Sequence, residues 1–301
     1  MGERAELEFE GDVQLIDVAD LEDEVRSARV AGGARLHYPP WTGDNWRRLD
    51  QLPEFAEALA TPAARFAANL RADRTAWFAA FLVFALVAGG FLQFHFRSAL
   101  AADHGALLQR LSVGWESTLA AGGWWTPFTA QLLHQDFLHL IGNAVIVAYC
   151  GWRCERAVGA VGLLGVVGGA LLGGTVAITA LSPLPCIGAS VLAFGLWGGQ
   201  FAIGWRHGAW IPSGLRGYYG AGTVLVTVPL MAWTFTNPEV SFVGHAGAWV
   251  GGVAAAMLMP LHADGWNRPE TPCRPKRILA ALALLVSAPA FALAARHCIS
   301  G

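Results

Sequence analysis

Long apolar stretches dominate the chain from residue 75 onward. A membrane-spanning helix requires about 20 mostly apolar residues. By this criterion the pattern predicts seven spans, which cover residues 75–96, 137–152, 157–181, 188–205, 218–237, 242–261 and 278–295. Helices in lipid pack closely where small residues recur four positions apart. Three predicted spans show this spacing, at Gly165, Gly169 and Gly173, at Gly195 and Gly199, and at Gly247 and Gly251. The pattern therefore predicts a compact helical bundle.

Residues 1–74 follow a different pattern and hold most of the chain's 22 carboxylates. Residues 6–10 alternate between charged and apolar side chains as a strand does, and Gly11 with Asp12 favours a turn after them. Residues 53–70 have the apolar spacing of an amphipathic helix. We interpret this region as a small cytosolic appendage with a juxtamembrane helix, and disorder of its first half is the alternative.

Composition supports a membrane protein. The chain is 54% hydrophobic and 14% charged, with a mean hydropathy of +0.43, whereas soluble domains carry about 25% charged residues. The net charge of −2 gives no indication of nucleic-acid binding. The acidic N-terminus lacks the apolar segment of a signal peptide. A single lysine among many arginines favours a bacterial protein with a GC-rich gene.

The basic residues predict an orientation, since they accumulate on the cytoplasmic side of membrane proteins. With the N-terminus in the cytoplasm, the inner side holds Arg71, Arg74, Arg153, Arg156, Arg206, Arg216, Arg268, Arg274, Lys276 and Arg277. The outer side then holds Arg97, Arg110 and Arg296. We therefore expect a multi-pass protein of a bacterial inner membrane whose C-terminal tail lies outside.

Polar residues from three distant spans fall at the same membrane depth, near the outer face. Ser190 lies at the start of the fourth span and His245 in the outer part of the sixth. The outer end of the second span contributes His134, Gln135, Asp136, His139 and Asn143. Each could be structural alone, because a serine can bond its own helix backbone and a His–Asn pair can join helices. Their conjunction favours a shared site.

The chemistry of this set is that of acyl transfer. A serine becomes a nucleophile when a base removes its proton, and His245 is the candidate base for Ser190. No carboxylate lies in the outer half of the fourth or sixth span, so the sequence predicts a dyad. His139 and Asn143 share a helix face and could stabilise an oxyanion, together with the backbone N–H of Ser190 at a helix start.

Three motifs within residues 75–262 resemble those of the rhomboid family of intramembrane serine proteases. They are "HQDFLHLIGN" in the second span, "GAS" in the fourth and "GHAGAWVGG" in the sixth. The resemblance implies that Ser190 is the nucleophile, that His245 is the general base, and that His139 and Asn143 assist the oxyanion. It further implies roles for His134 at the cavity mouth, Gly188 in the nucleophile motif, Phe194 beside the base, and Ala248 and Gly252 on the face packed against the fourth span.

A weaker match is "YCGWRCERAVG", whose Tyr149, Gly151, Glu155 and Gly159 resemble a structural pattern of the family. The chain also departs from the family. Val191 follows the nucleophile where glycine is usual, Ala248 stands where glycine is common, and the outer loop reads Trp124-Trp125-Thr126 instead of containing Trp-Arg. Because the four polar site residues are retained, we expect Val191 to narrow the substrate pocket without abolishing activity.

The resemblance implies an all-α polytopic membrane protein. We expect a six-span protease core at 75–262, a cytosolic extension at 1–74, and an inner loop with a seventh span and a short tail at 263–301. Its implied substrates are single-span membrane proteins cut near the outer face after a small residue, with no cofactor and no metal. We do not expect Cys186 and Cys298 to form a disulfide.

Two other function classes stay open. The first is an inactive rhomboid-like membrane chaperone or binding protein, although such relatives usually lack the serine or the histidine, and this chain has both. The second is a small-solute transporter, against which the lack of an evident inverted repeat counts. A metalloprotease is disfavoured because the sequence contains no HExxH motif.

Overall fold

The computed structural model describes residues 3–9, 11–71, 75–96, 104–237 and 239–261. The chain is mostly helical. Its helices are α1 (Val18–Arg26), α2 (Pro39–Thr42), α3 (Ala56–Leu59), α4 (Pro62–Arg71), α5 (Trp77–Phe96), α6 (His104–Leu111), α7 (Thr126–Thr129), α8 (Phe137–Leu181), α9 (Ser190–Arg206), α10 (Ala221–Thr236) and α11 (Phe242–Leu258). The predicted seventh span, 278–295, lies outside the described residues.

The N-terminal region is folded around a four-stranded sheet, so the all-α prediction is wrong for this part of the chain. The strands are β1 (Arg4–Phe9), β2 (Asp12–Asp17), β3 (Arg35–His37) and β4 (Arg47–Arg48), in the order β2-β1-β3-β4. Each neighbouring pair is antiparallel. Alternation in β1 turns Leu7 inward onto Leu21, Leu36 and Phe55. This apolar core explains why the region is folded, as the interpretation of a small appendage predicted, and the alternative of a disordered first half is wrong.

Helix α8 contains both the second and the third predicted span, because residues 153–156, predicted to be a loop, are helical. At Gly159 the backbone adopts φ +76° and ψ 169°, a conformation that glycine tolerates and at which the helix reverses. Contacts with α9 show that the two halves of α8 run in opposite directions. Residues 139, 151 and 154 lie beside residues 188, 196 and 199, whereas residues 166, 170 and 174 lie beside residues 199, 195 and 191.

The second half of α8, α9 and α11 pack backbone against backbone through the predicted glycines. A Cβ added to Gly252 would lie 1.9 Å from the carbonyl oxygen of Gly195, and one added to Gly173 would lie 2.3 Å from that of Gly247. No side chain fits at such distances, so these positions require glycine. This close approach fixes α11 against α9, and it is the packing that the small-residue spacing indicates.

Two helices of the described part are long and apolar enough to cross a membrane by length and composition, Trp77–Phe96 and Phe137–Leu181. Ala221–Thr236 and Phe242–Leu258 are apolar but shorter. At about 1.5 Å per residue, each of the two shorter helices is less long than the roughly 30 Å of a bilayer's hydrocarbon core. The arrangement of six spans plus one therefore stays a prediction.

Buried polar groups join the helices at the end of the bundle where α8 reverses. The Glu155 carboxylate accepts hydrogen bonds from the backbone N–H groups of Phe78 (3.3 Å) and Ala79 (2.7 Å) at the start of α5. The Tyr219 hydroxyl donates to the carbonyl of Arg153 at 3.1 Å. The Glu155 carboxylate thus satisfies N–H groups that have no partner within α5, which gives the weaker motif a structural role.

Candidate active site

Ser190 and His245 are joined by a hydrogen bond although 55 residues separate them in the chain. The Ser190 Oγ lies 2.7 Å from His245 Nε2. Ser190 is the first residue of α9, and His245 lies one turn inside α11, whose start is capped by the Ser241 hydroxyl. Because α9 and α11 begin at the same end of the bundle, their first turns bring the two side chains together.

The turn before α9 explains why the helix starts at Ser190, two residues later than predicted. Gly188 has φ +113°, a left-handed conformation that cannot belong to a right-handed helix. Its N–H donates to the Ala130 carbonyl at 2.8 Å. A Cβ at this position would lie 2.9 Å from Cε1 of His139. Glycine is thus required both by the backbone conformation and by the close approach of the histidine ring.

His139 and Asn143 lie one turn apart on the first half of α8 and line the same cavity as Ser190 and His245. The Asp136 carboxylate accepts from the His139 backbone N–H at 2.8 Å and so caps this helix. In this site His139 Nδ1, Asn143 Nδ2 and His245 Nδ1 are buried and have no hydrogen-bond partner in the described part of the chain. Buried polar atoms are normally paired, so these nitrogens keep hydrogen-bonding capacity that the described residues do not use.

The rings and small residues around His245 restrict its position. Phe194 stacks on the His245 ring with centroids 4.3 Å apart and planes inclined by 18°. Ala248, one turn further along α11, is fully buried, and its carbonyl oxygen would lie 3.3 Å from a Cβ on Gly195. Phe194 therefore contacts the histidine ring, and Ala248 packs against α9, as the resemblance implies.

His134 does not lie at the mouth of the cavity, which corrects the sequence-based prediction. It is fully buried, and its Nε2 accepts from the backbone N–H of Ala189 at 3.4 Å, directly beside Ser190. Burial, and then the neighbouring His139, lower the pKa of His134 to about 4. The ring is therefore neutral at ordinary pH, as an accepting nitrogen requires, and it supports the turn before Ser190 from behind.

Gln93 of α5 is a site-supporting residue that the sequence analysis missed. Its Nε2 donates to the His134 carbonyl at 2.9 Å, and its Oε1 accepts from the His134 N–H at 2.8 Å. These two hydrogen bonds join α5 to His134, the residue behind the nucleophile turn. A lone amide within the apolar stretch 75–96 was the available signal.

The cavity that contains these groups has a volume of about 1040 Å³. Helix α10 forms one wall through Leu230 and Trp233, and the segment between α8 and α9 forms another. A cavity of this size can hold an extended peptide segment across the dyad.

Val191 is accommodated by a glycine on the facing helix. It is 7% exposed, lines the cavity, and its Cγ1 would lie 2.7 Å from a Cβ on Gly174. The branched side chain therefore occupies space that a missing side chain on α8 provides. This pairing explains how the departure from the family pattern leaves Ser190 and His245 in hydrogen-bond contact.

Comparisons with known proteins agree with the motifs. The model of the family described as Rhomboid domain matches residues 121–261, which include Ser190, His245, His139 and Asn143. Rhomboid protease GluP of Bacillus subtilis is 27% identical over 175 residues, which are 58% of this chain and 32% of that protein. RHOMBOID-like protein 7 of Arabidopsis thaliana is 28% identical over 165 residues, 52% of this chain and 49% of that protein.

The chain thus spans about a third and about half of the lengths of these two relatives. The family match begins within the loop before α7 and ends just after α11, so it covers all the helices that carry the dyad and its neighbours. The resemblance to the rhomboid family is thereby confirmed: residues 121–261 of this chain match the rhomboid domain family.

Proposed function

We propose that this membrane protein is an intramembrane serine endopeptidase that cleaves single-span membrane proteins. The observation that carries the proposal is the 2.7 Å contact between Ser190 Oγ and His245 Nε2 within a large cavity. His139 and Asn143 line that cavity, and each has a buried nitrogen without a hydrogen-bond partner among the described residues. A nucleophile, a base and oxyanion donors in one cavity are the components that amide hydrolysis requires.

In the proposed reaction, His245 Nε2 takes the proton of the Ser190 hydroxyl as the oxygen attacks the substrate carbonyl. The negative oxygen that results receives hydrogen bonds from His139, from Asn143 Nδ2 and from the N–H of Ser190, at the positive end of α9. His245 then gives its proton to the leaving amine. In the second half, His245 takes a proton from water as the water oxygen attacks the acyl carbonyl, and it then gives that proton to the departing Ser190 oxygen, which releases the acid and restores the hydroxyl.

The dyad operates without a carboxylate partner in this proposal. His245 Nδ1 has no described hydrogen-bond partner, so the orienting role falls to the stacked ring of Phe194. Stacking fixes the ring plane, and the 2.7 Å bond to Ser190 fixes its rotation. These two contacts leave the imidazole with one productive orientation.

The topology and the domains complete the proposal. Residues 1–74 are assigned to the cytosol, residues 75–262 to the protease core, and residues 263–301 to an inner loop, a further span and an outer tail. With this orientation the cavity opens to the outer side, since the helix starts of α9 and α11 face outward. Substrates enter from lipid past α10, whose internal Pro229 removes one helix hydrogen bond and weakens the helix at mid-span.

The experiment is cleavage of a single-span reporter by the purified full-length chain in liposomes. Wild type should release a fragment, and Ser190→Ala should not. Ser182→Ala is the matched control, because the Ser182 hydroxyl donates to the Leu184 carbonyl at 2.9 Å and contacts no histidine. Cleavage retained by Ser190→Ala would contradict the proposal, and binding of the reporter without any cleavage would favour the inactive, chaperone-like alternative.

A further inference from the structure

The lining of the cavity carries negative but no strongly basic side chains. Asp136 and Glu239 lie on its wall, and no lysine or arginine does so among the described lining residues. Its other titratable groups are His139, His245 and Cys186. Two carboxylates beside a low-dielectric cavity concentrate a negative potential at its opening.

The two carboxylates are only partly used by the fold. One Asp136 oxygen, Oδ1, caps α8 by accepting from His139 N–H. Glu239 is exposed, and its carboxylate forms no ion pair with any residue of the described part. Both residues lie just before helix starts, where negative charge is favourable, so their presence alone does not indicate a ligand.

Gln131 supplies the independent observation. It is 4% exposed and lines the same cavity, and its Nε2 donates to the Pro127 carbonyl at 3.1 Å. Its Oε1 is buried without a hydrogen-bond partner in the described chain. The preceding residue, Ala130, accepts from Gly188 N–H, so this oxygen belongs to the segment that adjoins the nucleophile turn. A buried acceptor left unpaired is costly unless a ligand donates to it.

We propose that the cavity selects a substrate segment that carries a basic residue in the soluble flank next to the cleaved bond and places a hydrogen-bond donor against Gln131 Oε1. The inference rests on the proposed function, since the segment is that of the cleaved substrate. A basic side chain pairs with Asp136 and Glu239, and a peptide N–H or a hydroxyl satisfies Gln131. A glutamate in the same flank meets like charge and no cation.

The test uses three single-span reporters that are identical except for Arg, Gln or Glu in the outer flank. Binding to the Ser190→Ala chain in nanodiscs is measured by fluorescence anisotropy, so that the readout does not depend on catalysis. We expect affinity to fall in the order Arg, Gln, Glu by about 2- to 5-fold per step at low salt. High salt should reduce the difference, because the carboxylates are exposed to screening.

Glu239→Gln should reduce the preference for Arg, whereas Glu116→Gln, the same change at an exposed glutamate outside the cavity lining, should leave it intact. Gln131→Leu should weaken binding of all three reporters by about 2- to 10-fold. Equal binding of the three reporters, or a preference unaffected by Glu239→Gln, would overturn the inference while leaving cleavage by wild type untouched. The converse result, selective binding with no cleavage by wild type, would overturn only the proposed protease activity.

Discussion

The two ends of the helical bundle both bury polar side chains, but they use them differently. At the reversal of α8, Glu155 and Tyr219 direct their oxygens to backbone groups of neighbouring helix ends. At the start of α9, Asn143 and His245 line a cavity, and each has a buried nitrogen with no hydrogen-bond partner among the residues that the structure describes. We refer to these as the closed end and the cavity end.

The comparison separates structural from functional polar residues in a bundle. Polar groups inside a membrane protein are expensive, and their cost is offset either by hydrogen bonds within the protein or by what a ligand gains from them. Glu155 at the closed end follows the first course, because its carboxylate accepts from two N–H groups that α5 cannot satisfy itself. In the proposed function the cavity end follows the second, since Asn143 and His245 line the same cavity as Ser190.

The largest expected effect is loss of the base at the cavity end. His245→Ala should lower turnover by about 10⁶-fold, the loss seen when a serine hydrolase loses its nucleophile or its base. Tyr219→Phe, at the closed end, should lower the free energy of unfolding by about 1 kcal/mol and leave turnover per folded molecule unchanged. Reporter cleavage and unfolding in mild detergent measure both quantities. If His245→Ala kept measurable turnover, the base assignment would be wrong.

The next largest effect is loss of one oxyanion donor. Asn143→Ala should lower kcat by about 10²–10³-fold with little change in KM, because the hydrogen bond forms only with the developing oxyanion. Asn143→Asp provides a sharper control, since it keeps the size but replaces a donor by a negative charge, and should be at least as damaging. A change in KM alone would show that Asn143 binds substrate and does not stabilise the transition state.

At the closed end the expected effect is on stability. Glu155→Ala removes the acceptor of two backbone N–H groups and should lower the free energy of unfolding by about 2–5 kcal/mol, since each unsatisfied buried group costs about 1–3 kcal/mol. Glu155→Gln retains one acceptor oxygen and should cost about half as much. Turnover per folded molecule should stay near wild type in both variants. A Glu155→Gln chain that folded normally but did not cleave would break the distinction between the ends.

Sequence alone indicated three residues that line the cavity, because Ser190, His245 and Asn143 lie in specific motifs at one predicted membrane depth. It misplaced His134, because a histidine just before a span is expected to face water. The packing of α5 buries this residue instead. The reversal was predicted at residues 153–156 and lies at Gly159, because charged residues 153–156 have the pattern of a loop although Glu155 is used inside the bundle.

Other features needed the folded chain to become visible. Strands β3 and β4 have three and two residues, too short for alternation to show, so the sheet of the N-terminal region was not predicted beyond its first strand and turn. Gln131 and Gln93 were missed because their roles depend on partners distant in sequence. The pairing of Val191 with Gly174 likewise joins two helices and has no local signature.

The smallest effect concerns that pairing. Gly174→Ala would bring a Cβ within 2.7 Å of the Val191 side chain and should lower the free energy of unfolding by about 1–3 kcal/mol. Val191→Gly should cost a similar amount through lost burial and should admit a bulkier residue before the cleaved bond. The loss of unfolding free energy in the double variant should be smaller than the sum of the two single losses by about 0.5–3 kcal/mol. Strict additivity, together with an unchanged preference between Ala and Leu reporters, would contradict this account of Val191.

The most direct test of the central claim is covalent labelling of the full-length protein in membranes by a serine-directed phosphonate, with the modified residue located by mass spectrometry. The account predicts a single phosphonylated serine at Ser190 in wild type. It also predicts strongly reduced labelling in His245→Ala, because the hydroxyl then lacks its base. Labelling at another serine, or labelling of Ser190 at the wild-type rate without His245, would contradict the dyad.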